Sequence, residues 1–283
     1  MTHTLLSLGH GFSARAIARD LMAMPDWSIT GTTRSADKAR AIADTGVTPL
    51  VTGEADLDAA IRSATHLLVS ASPSADGDPF LPHMADTIRN ANLQWIGYLS
   101  TTGVYGDHGG SWVDEETPCT PTNPRGQWRL AAEQEWRDLG AHVFRLAGIY
   151  GPGRGPFSKV RNGTARRIIK PGQMFGRIHV DDIAQTVTAS IAQPNPGRIY
   201  NVADNDPAPP QDVLGYAAEL LGVPLPPAED FETAEMTPMA RSFYRENRRV
   251  QNNRLRAELG VTLKYPDYKS GLRALLAAET PNE

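Results

Sequence analysis

Residues 5–14, Leu5-Leu6-Ser7-Leu8-Gly9-His10-Gly11-Phe12-Ser13-Ala14, have the pattern of a buried strand, a glycine turn and the start of a helix. Gly9 can adopt the backbone angles of a tight turn, Gly11 lets the main chain approach a pyrophosphate, and Ala14 is small enough for the helix to pack on the strand. The free N–H groups and the dipole of the helix start would favour that pyrophosphate. The pattern therefore predicts a dinucleotide site, against the alternative of an ordinary strand-to-helix turn. The expected contacts are Gly9, Gly11, Phe12 and Ser13.

The second predicted strand, Trp27–Ser35, bears on which dinucleotide binds. An NAD site usually has an acidic residue about 20 residues after the glycines, where it binds the adenosine ribose. This chain has hydroxyl groups and a guanidinium there, with no carboxylate before Asp37. A ribose 2′-phosphate needs hydrogen-bond donors and positive charge, and an arginine supplies both. The sequence therefore favours NADP over NAD, through Thr33, Arg34 and Ser35, unless Arg34 only belongs to a solvated helix start.

Charge and composition exclude several classes of function. The 283 residues carry 28 basic and 32 acidic side chains and a net charge of -4, so no overall attraction to nucleic acid or to an anionic membrane is expected. The one cysteine, Cys119, excludes an internal disulfide and offers no metal cluster, so we expect no metal. No stretch approaches the roughly 18 apolar residues of a membrane span, and the N-terminus lacks the basic region of a signal peptide. We therefore expect a cytoplasmic protein that binds neither nucleic acid nor membrane.

Short apolar runs alternate with helical patterns along the chain, which is typical of right-handed βαβ units and a parallel sheet. The predicted fold class is α/β, a Rossmann doubly wound parallel sheet with a small C-terminal substrate cap. We assign residues 1–150 to the NAD(P)-binding Rossmann domain, and residues 151–283 to a mixed region that completes the sheet and forms the cap. Ligands of such sheets bind outside the carboxyl ends of the strands. One predicted strand ends there in Ser70, Ala71 and Ser72, which we expect to contact the cofactor.

Four motifs, in order along the chain, carry a resemblance to a known family. They are Leu99–Gly106 (LSTTGVYG), Arg145–Gly153 (RLAGIYGPG), Ile178–Ala184 (IHVDDIA) and Ile199–Asp204 (IYNVAD). Together they resemble the extended short-chain dehydrogenases/reductases, the epimerase/dehydratase group. The resemblance covers nearly the whole chain, and it implies a Rossmann fold, an NAD(P) cofactor and a homodimer built on paired helices.

The catalytic pair of that family is missing here. Its members carry Tyr-x-x-x-Lys on the helix after the fifth strand, where the phenol exchanges a proton with the substrate and the lysine lowers the pKa of the phenol. In this chain Arg125 stands at the tyrosine position and Arg129 at the lysine position. Arg129 could still hold a ribose or polarise a carbonyl, but Arg125 cannot act as an acid because a guanidinium stays protonated. The resemblance leaves Thr101, at the family's Ser/Thr position, as the candidate proton donor, helped by Thr102 and by Tyr105 unless Tyr105 is a buried anchor.

Two functions remain open at this point. The pattern resembles atypical short-chain members, which keep the fold and the cofactor motif but lose the tyrosine. In the first interpretation, the protein is an NADP-dependent oxidoreductase or epimerase-like enzyme that acts on a small anionic or nucleotide-linked substrate. In the second, it is a catalytically inactive NADP-binding redox sensor or regulatory protein. We favour the enzyme.

A basic segment suggests the class of substrate. Seven cations and no acidic residue occur from Arg154 to Arg177. Such a segment suits a phosphate or carboxylate ligand, unless it is a solvated basic face. The expected substrate contacts are Arg125, Arg154 and Arg177. A second basic run, Arg241–Val250, is framed by no DNA-reading motif, although its arginines could reach the ligand.

Overall fold

The computed structural model describes residues 2–279, in which strands and helices alternate. The strands are β1 (His3–Leu8), β2 (Trp27–Thr33), β3 (Thr48–Val51), β4 (His66–Val69), β5 (Trp95–Thr101), β6 (Trp112–Val113), β7 (His142–Leu146), β8 (Gly148–Tyr150), β9 (Arg167–Ile169), β10 (Arg177–His179), β11 (Ile199–Val202), β12 (Ala228–Asp230) and β13 (Arg249–Val250). The helices are α1 (Phe12–Met22), α2 (Ala36–Ala43), α3 (Leu57–Ser63), α4 (Leu81–Asn90), α5 (Pro124–Asp138), α6 (Phe157–Arg161), α7 (Val180–Ala192), α8 (Pro210–Leu220), α9 (Pro238–Phe243), α10 (Asn253–Leu259) and α11 (Tyr268–Glu279). A short 3₁₀ helix covers Thr102–Tyr105.

Seven strands form one parallel sheet in the order β11-β7-β5-β4-β1-β2-β3. Strand β1 pairs with β2 on one side and with β4 on the other, so the strand order reverses beside it. In such doubly wound sheets the crevice at the reversal binds ligands at the carboxyl ends of the strands. The arrangement confirms the predicted Rossmann-type α/β fold, and it brings the ends of β1, β2, β4 and β5 to one edge.

Neighbouring residues of each strand pack on opposite faces of the sheet, because side chains alternate along a strand. Leu5 and Leu68 join the core that α1 and α7 cover. Leu6 and Leu67 join the core that α3, α4 and α5 cover. Burying a leucine side chain stabilises the fold by about 1.5–3 kcal/mol, so these two layers hold the strand ends firmly in place.

Helix α5 begins earlier than its sequence pattern indicates. The pattern predicts a helix over Arg129 to Leu139, whereas the structure begins it at Pro124. Asn123 caps the helix, since its Oδ1 accepts a hydrogen bond from the Gly126 amide at 2.8 Å, and a proline is well suited to the first turn because it needs no N–H partner. As a result, Arg125 and Arg129 both lie near the start of one helix.

Residues after 150 contribute both to the sheet and to a smaller cap. Strand β11 forms one edge of the sheet, and α7 packs on α1. In the cap, α6, α8 and α11 pack around Tyr150 and Phe157. Near the C-terminus, β13 pairs with β6 in the loop that follows β5, so this late segment crosses back to the edge where ligands are expected. No helix within residues 2–279 is both long and apolar enough to cross a membrane.

Candidate functional site

The glycine turn after β1 is fastened to both neighbouring strands. Gly9 has a φ of +83°, and a Cβ at this position would lie 2.9 Å from the Ala71 amide nitrogen, so only glycine fits. The Gly9 amide donates to Oγ1 of Thr32 at 2.7 Å, at the end of β2. The Ser70 hydroxyl donates to the Gly9 carbonyl. The structure therefore brings Ser70 and Ala71 against the turn, as the sequence predicts.

Helix α1 begins directly after the turn, with an open N-terminus. Gly11 is its N-cap, no side chain caps it, and its first turn has no acidic residue. A Cβ on Gly11 would have no neighbour within 4 Å, so a ligand can approach the main chain there. Ser13 is buried behind the turn, and the ring of Phe12 lies beneath the Arg154 guanidinium, 5.4 Å from its Cζ. Free amides, a positive helix end and open space together suit a pyrophosphate.

The end of β2 offers hydroxyl groups and one free cation beside the turn. Thr33 is buried, and the Ser35 hydroxyl caps α2 by accepting from the Lys38 amide at 3.4 Å. Arg34 is exposed, and it makes no ion pair or side-chain hydrogen bond within the described chain. Its donors are therefore available to a ligand phosphate.

His10 is a buried residue of this site that the sequence did not single out. Its ring packs on Gly31, where a Cβ would lie 2.7 Å from the imidazole Cγ. Both ring nitrogens are buried and have no hydrogen-bond partner among the described residues. Burial, helped by the nearby Arg15 charge, lowers the pKa of His10 to about 4. The imidazole is therefore neutral at physiological pH. The only sequence signal was its place between the two glycines.

This burial predicts a loss of stability in acid. Unfolded His10 would take up a proton near pH 6.5, but the folded protein holds it neutral down to about pH 4. Stability therefore falls as the pH drops from 6.5 to 4, by up to about 3 kcal/mol. Burial also lowers the pKa of His66 to about 4 and lowers the pKa values of His142 and His179, so His10→Gln should reduce the slope without abolishing it. Urea unfolding at pH 7, 5.5 and 4.5 measures this, with exposed His83→Gln as the control that keeps the full slope. Equal slopes in wild type and His10→Gln would contradict the assignment.

Arg129 reaches the carboxyl ends of β4 and β5, where its donors go to the protein itself. Its Nη1 donates to the Ala71 carbonyl (3.3 Å), the Tyr98 hydroxyl (3.0 Å) and the Leu99 carbonyl (3.1 Å). Its Nη2 donates to Oγ of Ser72 at 2.9 Å. This differs from the expected role in catalysis, because the guanidinium positions the strand ends and Ser72 and has little donor capacity left for a ribose or a carbonyl.

The phenols near the site are buried. Tyr105 is fully buried, its hydroxyl donates to Oδ1 of Asn201 at 2.7 Å, and burial raises its pKa to about 12. Burial also raises the pKa of Tyr98 far above its ordinary value. The expectation that Tyr105 helps in proton transfer is therefore corrected: it is the buried anchor. Thr102, which starts the 3₁₀ helix, is buried as well.

Thr101 and Arg248 share a small volume at the end of β5. The Thr101 Oγ1 accepts from the Gly103 amide at 3.1 Å. A Cβ on Gly103 would lie 3.3 Å from this oxygen and 3.9 Å from Nη2 of Arg248. Nη1 of Arg248 donates to the Gly106 carbonyl (2.6 Å) and to Oε2 of Glu246 (2.9 Å), whereas Nη2 has no partner among the described residues. Arg248 is thus a candidate functional residue; the sequence flagged its basic run but not this arginine.

A segment that we call the C-terminal strap, residues 244–251, carries Arg248 to this position. The carbonyl of Asn247 accepts from the amides of His108 (3.0 Å) and Gly110 (2.9 Å). The side-chain Oδ1 of Asn247 accepts from the Met174 amide at 3.0 Å. Glu246 accepts from Nδ2 of Asn123, the cap of α5, at 2.7 Å. The strap therefore ties the cap, the loop after β5 and the start of α5 together.

The three arginines expected to bind substrate do not come together. Arg125 is exposed on the first turn of α5, next to Gly126, where a Cβ would lie 3.3 Å from the Gly103 carbonyl. Arg154 and Arg177 instead line a cavity between β8, β10, α6, α8 and α11. The expected cluster is therefore divided between the end of β5 and the cap.

The basic segment is partly neutralised by acidic residues from distant parts of the chain. Arg161 pairs with Glu279 at 2.5 Å, and Arg166 pairs with Glu229 at 2.9 Å. Arg167 donates to the carbonyl of Pro226 at 2.8 Å. Part of the positive charge expected for an anionic ligand is thus used within the fold.

The fold and the site can be compared with known proteins. Residues 82–203 match the family model described as the NAD dependent epimerase/dehydratase family. A conserved protein of unknown function from Silicibacter pomeroyi is 58% identical, with 98% of this chain and 99% of that chain covered and a TM-score of 0.93. The dTDP-glucose 4,6-dehydratase of Bacillus anthracis, solved with NAD, is 18% identical with a TM-score of 0.76 over 100% of this chain and 98% of its own, which shows the shared fold.

A structure from Methylobacillus flagellatus connects these findings to a family. That protein, provisionally assigned as an NAD-dependent epimerase/dehydratase, is 30% identical, with a TM-score of 0.74 and 98% of both chains covered. The four motifs, the doubly wound sheet and the glycine turn all agree with this match. The chain belongs to the NAD-dependent epimerase/dehydratase family.

Proposed function

We propose that this protein is an NADP-dependent oxidoreductase or epimerase-like enzyme that acts on a small anionic or nucleotide-linked substrate. The observation that carries the proposal is the glycine turn. It is held between β2 and β4, opens onto the free N-terminus of α1, and has the unpaired Arg34 beside it. A pyrophosphate and a ribose 2′-phosphate need this combination of donors.

The cofactor would be held by residues of three strand ends. The pyrophosphate would be bound by Gly9, Gly11, Phe12 and Ser13. The adenosine ribose would be bound by Thr33, Arg34 and Ser35. The opposite side of the cofactor would be contacted by Ser70, Ala71 and Ser72. The close approach of Gly9 to Ala71 and the open space before Gly11 fit such a ligand. When bound, the nicotinamide supplies or accepts a hydride.

The substrate oxygen would lie at the end of β5, in the volume that Thr101 and Arg248 share. A guanidinium stabilises negative charge on an oxygen, which takes over part of the work of the missing phenol. The Thr101 hydroxyl can donate a hydrogen bond to the same oxygen. Arg125, on the neighbouring turn of α5, would hold an anionic part of the substrate.

Calorimetric titration of NADPH and NADH tests the cofactor assignment through Arg34→Ala. We expect the Kd for NADPH to rise about 10–100-fold, because a charge-assisted hydrogen bond contributes about 1.5–3 kcal/mol, while the Kd for NADH stays unchanged. The matched control is Arg40→Ala, since Arg40 lies on α2, which begins just after Arg34, and is also exposed to solvent but faces Asp37 at 4.0 Å. Equal affinity of the wild type for both nucleotides would disprove the NADP preference, and binding of neither would disprove the proposed function.

One observation favours the alternative that the protein is a redox sensor. The phenols of Tyr98 and Tyr105 are buried, and the donors of Arg129 go to the protein, so the family's proton-transfer pair has no replacement of equal chemistry. The two functions separate when the NADPH-bound protein is mixed with aldehydes, 2-oxo acids and sugar phosphates. Loss of the near-ultraviolet absorbance of NADPH supports the enzyme. Tight binding with no loss of absorbance supports the sensor.

A further inference from the structure

Asn247, in the middle of the strap, is bound by its backbone to the loop after β5. Its amide donates to Oδ1 of Asp107 at 2.8 Å. Its carbonyl accepts from the amides of His108 (3.0 Å) and Gly110 (2.9 Å). These three hydrogen bonds fix the main chain of the strap on one wall of the candidate site.

The side chain of Asn247 binds the other wall, which is the cap loop, residues 170–176, between β9 and β10. Nδ2 donates to the Gly172 carbonyl at 2.9 Å, and Oδ1 accepts from the Met174 amide at 3.0 Å. The loop after β5 leaves room for this side chain, because Gly110 has a φ of +82° and a Cβ there would lie 3.0 Å from Nδ2 of Asn247. Asn247 therefore connects the two walls through a single residue.

The residue that follows is Arg248, whose guanidinium depends on the position of the strap. Its side chain is 16% exposed, and its Nη1 is held by the Gly106 carbonyl and by Oε2 of Glu246. The cap loop holds Glu246 as well, since Nε2 of Gln173 donates to the Glu246 carbonyl at 2.9 Å. The place of Nη2 beside Thr101 is thus set by how the strap lies between the loop after β5 and the cap loop.

The strap needs such fastening because its own secondary structure is short. Thr101 belongs to a strand in the middle of the main sheet, whereas the strap contributes only the two residues of β13 to a separate pairing with β6. A donor that stabilises developing negative charge must be fixed before the reaction, and a misplacement of about 1 Å can lower a rate by about 100-fold. Hydrogen bonds outside β13 must therefore supply the precision.

We propose that Asn247 is a positioning residue of the candidate site, which joins the cap loop to the loop after β5 and so holds Nη2 of Arg248 beside Thr101. The inference rests on the proposed function for the role of Arg248 toward a substrate oxygen. The fixing of Arg248 is measurable without nucleotide or substrate. Failure of the proposed function and failure of this inference are therefore distinguishable.

Modification by phenylglyoxal, followed by peptide mass spectrometry on the full chain without nucleotide, tests the fixing of Arg248. A buried, hydrogen-bonded guanidinium reacts only when the structure opens locally. We expect the rate at Arg248 to rise at least about tenfold in Asn247→Ala, because both side-chain hydrogen bonds to the cap loop are lost. The rate at Arg245, which is exposed on the same strap, should stay unchanged.

A second variant covers the case in which Asn247→Ala does not fold, which thermal unfolding shows. Asn247→Asp keeps the acceptor for the Met174 amide and loses only the donor to the Gly172 carbonyl. Its rate at Arg248 should rise less, but still at least about threefold.

Asn252→Ala is the matched control for a general loosening of the C-terminal region. Nδ2 of Asn252 also makes two hydrogen bonds, to the Ala203 carbonyl at 2.7 Å and to Oδ1 of Asn205 at 2.9 Å. Both partners lie after β11 and outside the cap loop. The variant loses as many side-chain hydrogen bonds as Asn247→Ala, yet it should keep the wild-type rate at Arg248.

Turnover gives a readout that loss of stability does not imitate. With a carbonyl compound that oxidises bound NADPH, kcat should fall at least about tenfold in Asn247→Ala while the Kd for NADPH stays unchanged, because Arg248 acts on the reacting oxygen. Absence of turnover in the wild type would contradict the enzyme function, and the rate of modification at Arg248 would still decide the inference.

Three outcomes would overturn the proposal. The first is an unchanged rate of modification at Arg248 in the folded Asn247 variants. The second is an equal rise in Asn252→Ala. The third is a wild-type kcat in a variant whose Arg248 has become reactive, since the fixed guanidinium would then make no difference to the reaction.

Discussion

Glu133→Ala is expected to lower the free energy of unfolding by about 3–5 kcal/mol, because it leaves a buried arginine without its counter-ion. Glu133 is 2% exposed, and it accepts hydrogen bonds from Nε and Nη2 of Arg145 at 2.9–3.3 Å. Ser100 also donates to this carboxylate. The ring of Tyr105 lies 4.8 Å from the Arg145 Cζ and gives only partial compensation. Urea unfolding followed by circular dichroism measures the loss.

Two further variants make that result specific. Glu135→Ala, on the exposed side of the same helix, should change stability by no more than about 0.5 kcal/mol. The double variant Glu133→Leu with Arg145→Met should recover most of the loss, since an apolar pair needs no desolvation of charge. A loss below about 1 kcal/mol in Glu133→Ala would show that the Glu133–Arg145 ion pair does not stabilise the packing of α5 on β7.

Gly9→Ala is expected to weaken NADPH binding by roughly 100-fold, which corresponds to about 2.7 kcal/mol. The new Cβ would lie 2.9 Å from the Ala71 amide nitrogen, and the backbone would need a φ of +83°. Relief of this contact must move the turn away from β4, and the amides that face the pyrophosphate move with it. Calorimetric titration with NADPH measures the change.

Gly53→Ala is the control that separates the two causes. Gly53 has a φ of +94°, yet a Cβ there would have no neighbour within 4 Å. It should therefore cost about 1–2 kcal/mol of stability from backbone strain and leave the Kd for NADPH unchanged. If Gly9→Ala also keeps the wild-type affinity, the turn does not hold the cofactor.

The parts of the site that are local in sequence could be predicted from it. The glycine turn, the strand before it and the helix after it lie within residues 3–22, so their pattern contains the whole unit. Asn123 followed by Pro124 is a signal for the start of α5, whereas the helical pattern alone predicts a start five residues later, at Arg129. The four family motifs then implied the Rossmann fold for the rest of the chain.

The parts of the site that depend on contacts between distant residues could not be predicted from the sequence. The sequence predicts that Arg129 holds a ribose or polarises a carbonyl, but only the assembled ends of β4 and β5 show that three main-chain and side-chain oxygens accept hydrogen bonds from its Nη1. The basic segment has no acidic residue of its own, and Glu229 and Glu279 reach it from more than 60 residues away. Arg248 meets Thr101 only because the strap pairs with β6. The local pattern of apolar and polar residues does not predict such long-range contacts.

The strap also determines when the site is complete during synthesis of the chain. The turn, β2 and β4 all lie before residue 70, whereas Arg248 leaves the ribosome about 180 residues later. At translation rates of about 5–20 residues per second, the interval between β5 and the strap is on the order of ten seconds. A nascent chain can thus assemble its glycine turn early and bring Arg248 to the end of β5 only after the strap has been synthesised. The candidate site is therefore complete only once the chain through residue 251 has emerged.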